Sequence, residues 1–200
     1  MMGLLSAILL SVAVPPWGIG VVLLAAWVPL LLGSGRARSW KSAAIGGAAF
    51  GAVYYGLLFR WMLQLPPLVY VGSWLLGAAY GAYVAAAVWH ARLLPRWARA
   101  AAAALIWVAP ALIADNPLRP FFGSVVFLTG LHAPLPLPLL QLARPLGENG
   151  LVFCLVLLNA LLSQAVSEQT RPRHAAQLIK TRYSRPTMRW PSRPPAAGRT

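Results

Sequence analysis

Acid is the scarcest commodity in this chain. Three of its 200 residues are Asp or Glu (Asp115, Glu148 and Glu168), and none precedes position 115. Lysine occurs only at Lys41 and Lys180, and Cys154 is the single cysteine. These shortages exclude several chemistries. One thiol closes no internal disulfide, so the redox compartment stays open. His90, His132 and His174 have no cysteine or carboxylate at ligand spacing, so no metal is expected. There is no glycine-rich phosphate loop and no Ser-His-Asp arrangement, and no cofactor is expected either. Charged residues make up only 10% of the chain, against about 25% in a soluble domain.

What is present is apolar. Hydrophobic residues reach 59% and the mean hydropathy is +0.66. Polar surface is too small to cover a water-soluble globule, so the sequence predicts an all-α, polytopic membrane helix bundle. The net charge of +14 is concentrated in two short loops and in the tail, as the excess of Lys and Arg on the cytoplasmic side requires. The opening stretch MMGLLSAILLSVAVPPWG has no basic n-region and no small-residue cleavage site before Pro15 and Pro16. It reads as a retained segment rather than a signal peptide.

About six membrane segments can be traced. Residues 2–14 and 19–32 are apolar runs separated by PPWG. Each is shorter than the roughly 20 residues of a full perpendicular span, so they are two short spans or a re-entrant hairpin. The next loop carries Arg36, Arg38 and Lys41 and is placed in the cytoplasm. Spans over 43–63 and 68–89 lead to a second cytoplasmic loop with Arg92, Arg96 and Arg99. A span over 100–114 contains Pro110, which removes a helix hydrogen bond and is expected to kink it. Residues 115–145 form an irregular outer segment, in which 121–131 is apolar but too short to cross. The last span is expected over 148–166. The tail, 167–200, holds eight basic residues and one acid, a composition expected to stay disordered. The domain division is thus 1–166 and 167–200, with both termini in the cytoplasm. Next to a membrane the simplest partner for the tail is anionic lipid, and no specific nucleic acid is expected.

Individual residues carry further expectations. Ala43, Gly47 and Gly51 recur every four residues, as do Gly77, Gly81 and Ala85 on the following span. Small residues at this spacing let backbones approach where lipid gives no hydrophobic drive for association. The competing reading is a lipid groove between the same helices. Asn159, deep in the last span, is expected to hydrogen-bond to another helix. Glu148 begins that span, where the helix dipole favours a carboxylate; pairing with Arg144 or Arg119 is the other structural role. Arg60 is expected to snorkel to the interface. Cys154 lies about 9 Å into its helix, flanked by Val152, Phe153, Leu155 and Val156. Buried there without an activating partner, it is expected to be inert.

Three stretches together resemble one family. PPWGIGVVLLAAWVPLLL, GAAFGAVYYGLLFRWMLQLPP and PLPLLQLARPLGENGLVFCLVLLNALL are similar, in order and spacing, to the membrane part of bacterial apolipoprotein N-acyltransferase, over about residues 1–166. The resemblance implies a bacterial inner-membrane protein of lipoprotein maturation. That family passes an acyl chain from a phospholipid to an enzyme cysteine, then to the amino group of a lipoprotein's N-terminal cysteine. Its Glu-Lys-Cys set resides in a nitrilase-like domain, which these 200 residues are expected to lack. The family's aromatic-glutamate-leucine-arginine and Phe-Pro-Trp segments correspond here to IADNPLRPFFGSVVFLTG, with Arg119 in the place of the arginine and Phe121 and Phe122 near the aromatics. By this resemblance Arg119, Phe121, Phe122 and Glu148 are the candidate lipid or substrate contacts. Membrane phospholipid is the implied partner, together with a lipoprotein substrate or a separate nitrilase-like chain. The expectation is a membrane domain that is not catalytic alone, whether a split protein or a truncated gene product. An unrelated integral membrane scaffold or transporter subunit is the alternative.

Overall fold

The computed structural model describes residues 1–114 and 137–183, with side chains at 1–112 and 138–169. All elements among the described residues are helical. The chain divides into two compact units, Met1–Val166 and Ser167–Thr200. The first contains helices α1 (Met2–Ala13), α2 (Val28–Arg36), α3 (Trp40–Leu58), α4 (Pro67–Ala91), α5 (Arg96–Ala114) and α6 (Leu137–Gln141). Helix α7 (Ala143–Tyr183) begins there as well. Short 3-10 turns at Gly20–Leu24 and Phe59–Gln64 flank α2 and α3. Three stretches are long and apolar enough to cross a membrane: Trp40–Gln64, Pro67–Ala91 and Ala143–Gln169. Met2–Ala13 and Gly20–Arg36 are shorter apolar helices.

Local chemistry sets these bounds. Ser39 is the N-cap of α3, and its hydroxyl accepts the Ser42 N–H at 3.2 Å, satisfying a donor that has no partner inside the helix. Pro67 stands in the first turn of α4, where a missing N–H costs nothing. Pro110 leaves the Ile106 carbonyl without its helical donor. The adjacent Trp107 carbonyl receives the Tyr80 hydroxyl at 2.5 Å, which ties α5 to α4. Gly147 adopts φ 69° and ψ 175°, a left-handed φ that suits glycine. It interrupts α7, so the long helix restarts at Glu148. Composition alone predicts no element after Val166, yet helical backbone continues to Tyr183. Extending an existing helix avoids the nucleation step that opposes an isolated one.

Helices α3 and α4 form the closest pair. A Cβ built on Gly47 would fall onto the Gly81 carbonyl oxygen and 2.5 Å from the Ala85 Cβ. One on Gly51 would strike the Gly77 carbonyl, one on Gly81 the Gly47 carbonyl, and one on Gly77 the Tyr55 side chain. The two small-residue rows therefore meet face to face, and no groove separates them along this seam.

The core is built around aromatic rings from five segments. Trp27 and Trp107 meet edge to face at 5.5 Å, and Tyr80 and Trp107 at 5.3 Å. Phe50 stacks on Tyr54 at 5.8 Å, and Tyr55 on Phe59 at 5.7 Å. Such pairs add about 0.5–1.5 kcal/mol beyond the area they bury. Helix α7 closes the cluster with Leu151, Val152, Leu155 and Val156. The outer surface is apolar as well, with Ile8, Leu57, Leu75, Leu105 and Leu161 exposed. An apolar exterior of this kind suits hydrocarbon rather than water.

Candidate functional site

The two ends of the bundle differ in charge. At one end lie the loops with Arg36, Arg38 and Lys41 and with Arg92, Arg96 and Arg99, linked by the Trp89 indole N–H donating to the Ala37 carbonyl at 3.0 Å. At the other, the PPWG break after α1 meets the end of α3. There Ser11, Val14, Pro15, Pro16, Trp17, Tyr54, Leu57, Leu58 and Arg60 line a shallow depression, partly open to solvent. Arg60 is the exposed cation at its edge. The floor is apolar, with hydroxyls from Ser11 and Tyr54, and Ser11 donates to the Ala7 carbonyl at 2.7 Å. A cation above an apolar slot suits an anionic head joined to an apolar body. Sequence reasoning treated Arg60 as an isolated snorkelling residue. The neighbouring PPWG turn was the signal available, but only folding brings it beside Arg60.

Between the ends, the second apolar segment is broken. The 3-10 turn ends at Leu24 and α2 starts at Val28, leaving backbone groups without helical partners at membrane depth. Fully buried Asn159 fills this gap. Its Oδ1 accepts the Trp27 N–H at 3.0 Å, and its Nδ2 donates to the Leu23 carbonyl at 2.9 Å and the Leu155 carbonyl at 2.8 Å. Buried Ser6 accepts the Leu30 N–H at 2.8 Å. Two polar side chains, on α7 and α1, thus complete a helix from which they are distant in sequence. The role of Ser6 was missed, although a lone hydroxyl in an apolar run marks such a residue.

The sequence placed Cys154 in a buried position, and the structure corrects this. Its side chain is exposed on the outside of the bundle, because Val152, Leu155 and Val156 occupy the inward face of α7. Its immediate sequence neighbours remain apolar. Glu148 is exposed on the first turn after Gly147. Gly47, Gly51, Gly77 and Gly81 form the α3–α4 seam described above. Arg119, Phe121 and Phe122 lie outside the described residues, as does the apolar stretch 121–131. Among the described residues no group of three or more His, Cys, Asp or Glu is placed to hold a metal.

Comparison with known proteins gives a consistent result. Residues 6–161 match the family model described as the apolipoprotein N-acyltransferase N-terminal domain. A curated relative, the apolipoprotein N-acyltransferase of Gloeobacter violaceus, is 38% identical over 92 residues. That alignment covers 44% of this chain and 18% of the relative. No solved structure matches.

Proposed function

The chain belongs to the apolipoprotein N-acyltransferase N-terminal domain family, and on that premise we propose that it is the phospholipid-seating membrane domain of a lipoprotein-maturing acyltransferase system, not catalytic by itself. The observation that carries this reading is the family match over more than three quarters of the chain. The protein sits in the bacterial inner membrane with about six segments and both termini in the cytoplasm. The basic loops face the cytoplasm, in keeping with the charge rule for membrane proteins. The Arg60 depression then opens on the outer side.

There Arg60 holds a phospholipid phosphate by charge-assisted hydrogen bonds. Leu57, Leu58 and Val14 take the start of the acyl chains. By the family resemblance, Arg119, Phe121, Phe122 and Glu148 are further candidate contacts with the lipid or lipoprotein. Acyl transfer itself requires a thiolate beside a base. Cys154 is unsuited, because its helix presents it among apolar neighbours on the outer face. The Glu-Lys-Cys chemistry belongs to a nitrilase-like domain, carried on a continuation of this polypeptide or on a separate chain. A transporter role is disfavoured. Transporters expose the termini of broken helices to their substrates, whereas Asn159 and Ser6 fill the break here.

Complementation of a bacterial strain depleted of its acyltransferase tests this proposal. The chain alone is expected not to restore growth, whereas co-expression with a nitrilase-like domain is. Rescue by the chain alone overturns the non-catalytic assignment. No rescue with an expressed and folded nitrilase-like domain overturns the membrane-domain role. Reporter fusions after residue 166 should report a cytoplasmic position, and an external one refutes the topology.

A further inference from the structure

The basic end of the bundle has a construction that the acyl-transfer reading does not use. Residues 1–114 contain no acid, yet folding brings two cationic loops together there. One residue makes the junction. The Trp89 indole N–H holds the Ala37 carbonyl at 3.0 Å, which fixes the first loop beside Arg38. The face of the same indole carries the Arg92 guanidinium, with Cζ 3.7 Å from the ring centroid. A guanidinium stacked on a ring still presents its N–H edge in the ring-parallel plane. The second loop is held in shape by Arg99, whose Nε donates to the Leu94 carbonyl at 2.8 Å. Arg38, Lys41 and Arg92 are all exposed. Arg36 and Arg96 engage other groups, and the site does not depend on them.

We propose that Arg38 and Arg92, drawn together by Trp89, bind the phosphate of an anionic phospholipid at the basic end of the bundle. Arg38, Lys41 and Arg92 carry like charge on neighbouring loops whose own residues include no carboxylate, and a ligand carrying net negative charge relieves their mutual repulsion. A zwitterionic head brings its own cation and relieves less. The ligand is a lipid rather than a free phosphate because the same loops expose Trp40, Leu93, Leu94 and Trp97. Tryptophan at such a position belongs at the headgroup level, with its apolar body beside the acyl chains. This site lies at the opposite end from the Arg60 depression and is independent of the function proposed for it.

The test uses the purified full chain in a non-ionic detergent, titrated separately with phosphatidylglycerol, phosphatidylcholine and soluble glycerol phosphate. Native mass spectrometry counts bound lipid, and intrinsic tryptophan fluorescence follows saturation. Each cation near a lipid surface contributes about fivefold in affinity, so the Arg38→Gln/Arg92→Gln pair is expected to lose roughly thirtyfold for phosphatidylglycerol. Arg38→Lys should keep most of the affinity, whereas Arg92→Lys, which gives up the planar fork stacked on Trp89, should lose part of it. The preference of the unaltered protein for phosphatidylglycerol should fall as salt rises, a measurement that needs no variant to fold. Equal binding of the two lipids overturns the proposal, as does an unchanged double-Gln variant. Glycerol phosphate binding as tightly as phosphatidylglycerol also overturns it, because the apolar contacts would then contribute nothing.

Discussion

Neighbouring glycines on α3 provide a direct test of the packing. Gly46 and Gly47 differ by one position and lie in the same helix. A Cβ on Gly46 would meet nothing within 4 Å, whereas one on Gly47 would land on the Gly81 carbonyl of α4. Replacing either with alanine gains about 1 kcal/mol of helix propensity. At Gly46 that gain stands unopposed. At Gly47 the obstacle is backbone, which cannot swing aside as a side chain does. Helices α3 and α4 must separate by about 1 Å to restore ordinary contact. Overpacking of this kind costs about 1–3 kcal/mol, and the second rung at Gly51 and Gly77 is loosened with the first, which argues for the upper value. The net expectation is a loss of about 2 kcal/mol for Gly47→Ala and a gain of up to about 1 kcal/mol for Gly46→Ala. For a chain of this length, a difference of about 3 kcal/mol separates their melting temperatures by roughly 6–12 °C. Thermal melts in detergent, followed by tryptophan fluorescence, measure it directly. Equal melting temperatures, or a lower one for Gly46→Ala, would refute the seam.

Three further outcomes are expected. Asn159→Leu leaves the Trp27 N–H and the Leu23 carbonyl without their partner and should destabilise by about 2–4 kcal/mol, read as a lower melting temperature; a shift within error shows the break is satisfied some other way. Tyr80→Phe removes one hydrogen bond to the Trp107 carbonyl and should cost about 1 kcal/mol, visible in the same melt. Cys154→Ala alters an exposed position and should change stability by no more than about 0.5 kcal/mol, with undiminished rescue in the complementation assay; abolished rescue would make the thiol a participant in the reaction.

The resemblance in the three quoted stretches led to the family that residues 6–161 match. Five apolar helices were also legible, because each run is bounded by Pro, Gly or Arg. Their ends moved by a few residues. Ser39 caps α3 earlier than hydropathy suggests, and Gly147 separates a first turn of α7 that apolar content alone does not mark. Asn159 was legible as a polar residue at depth, but its acceptors and donors were not. They are backbone groups of Leu23 and Trp27, more than 130 residues away, and no local pattern identifies them. The Arg60 depression was hidden for the same reason, since the PPWG turn and the end of α3 converge only on folding.

Cys154 and the glycine rows show the division most clearly. By itself the sequence determined that the protein lives in a membrane, where its cations gather and which helices carry small residues every fourth position. Those follow from composition and spacing, which folding does not alter. Only the tertiary structure decided that Cys154 faces outward and that the rows on α3 and α4 meet. In a soluble helix the apolar stripe reveals the inward face. Here the helices are apolar all round, so that cue is lost. Which side of each helix turns inward is then settled by close packing and by the need to pair every buried N–H and carbonyl.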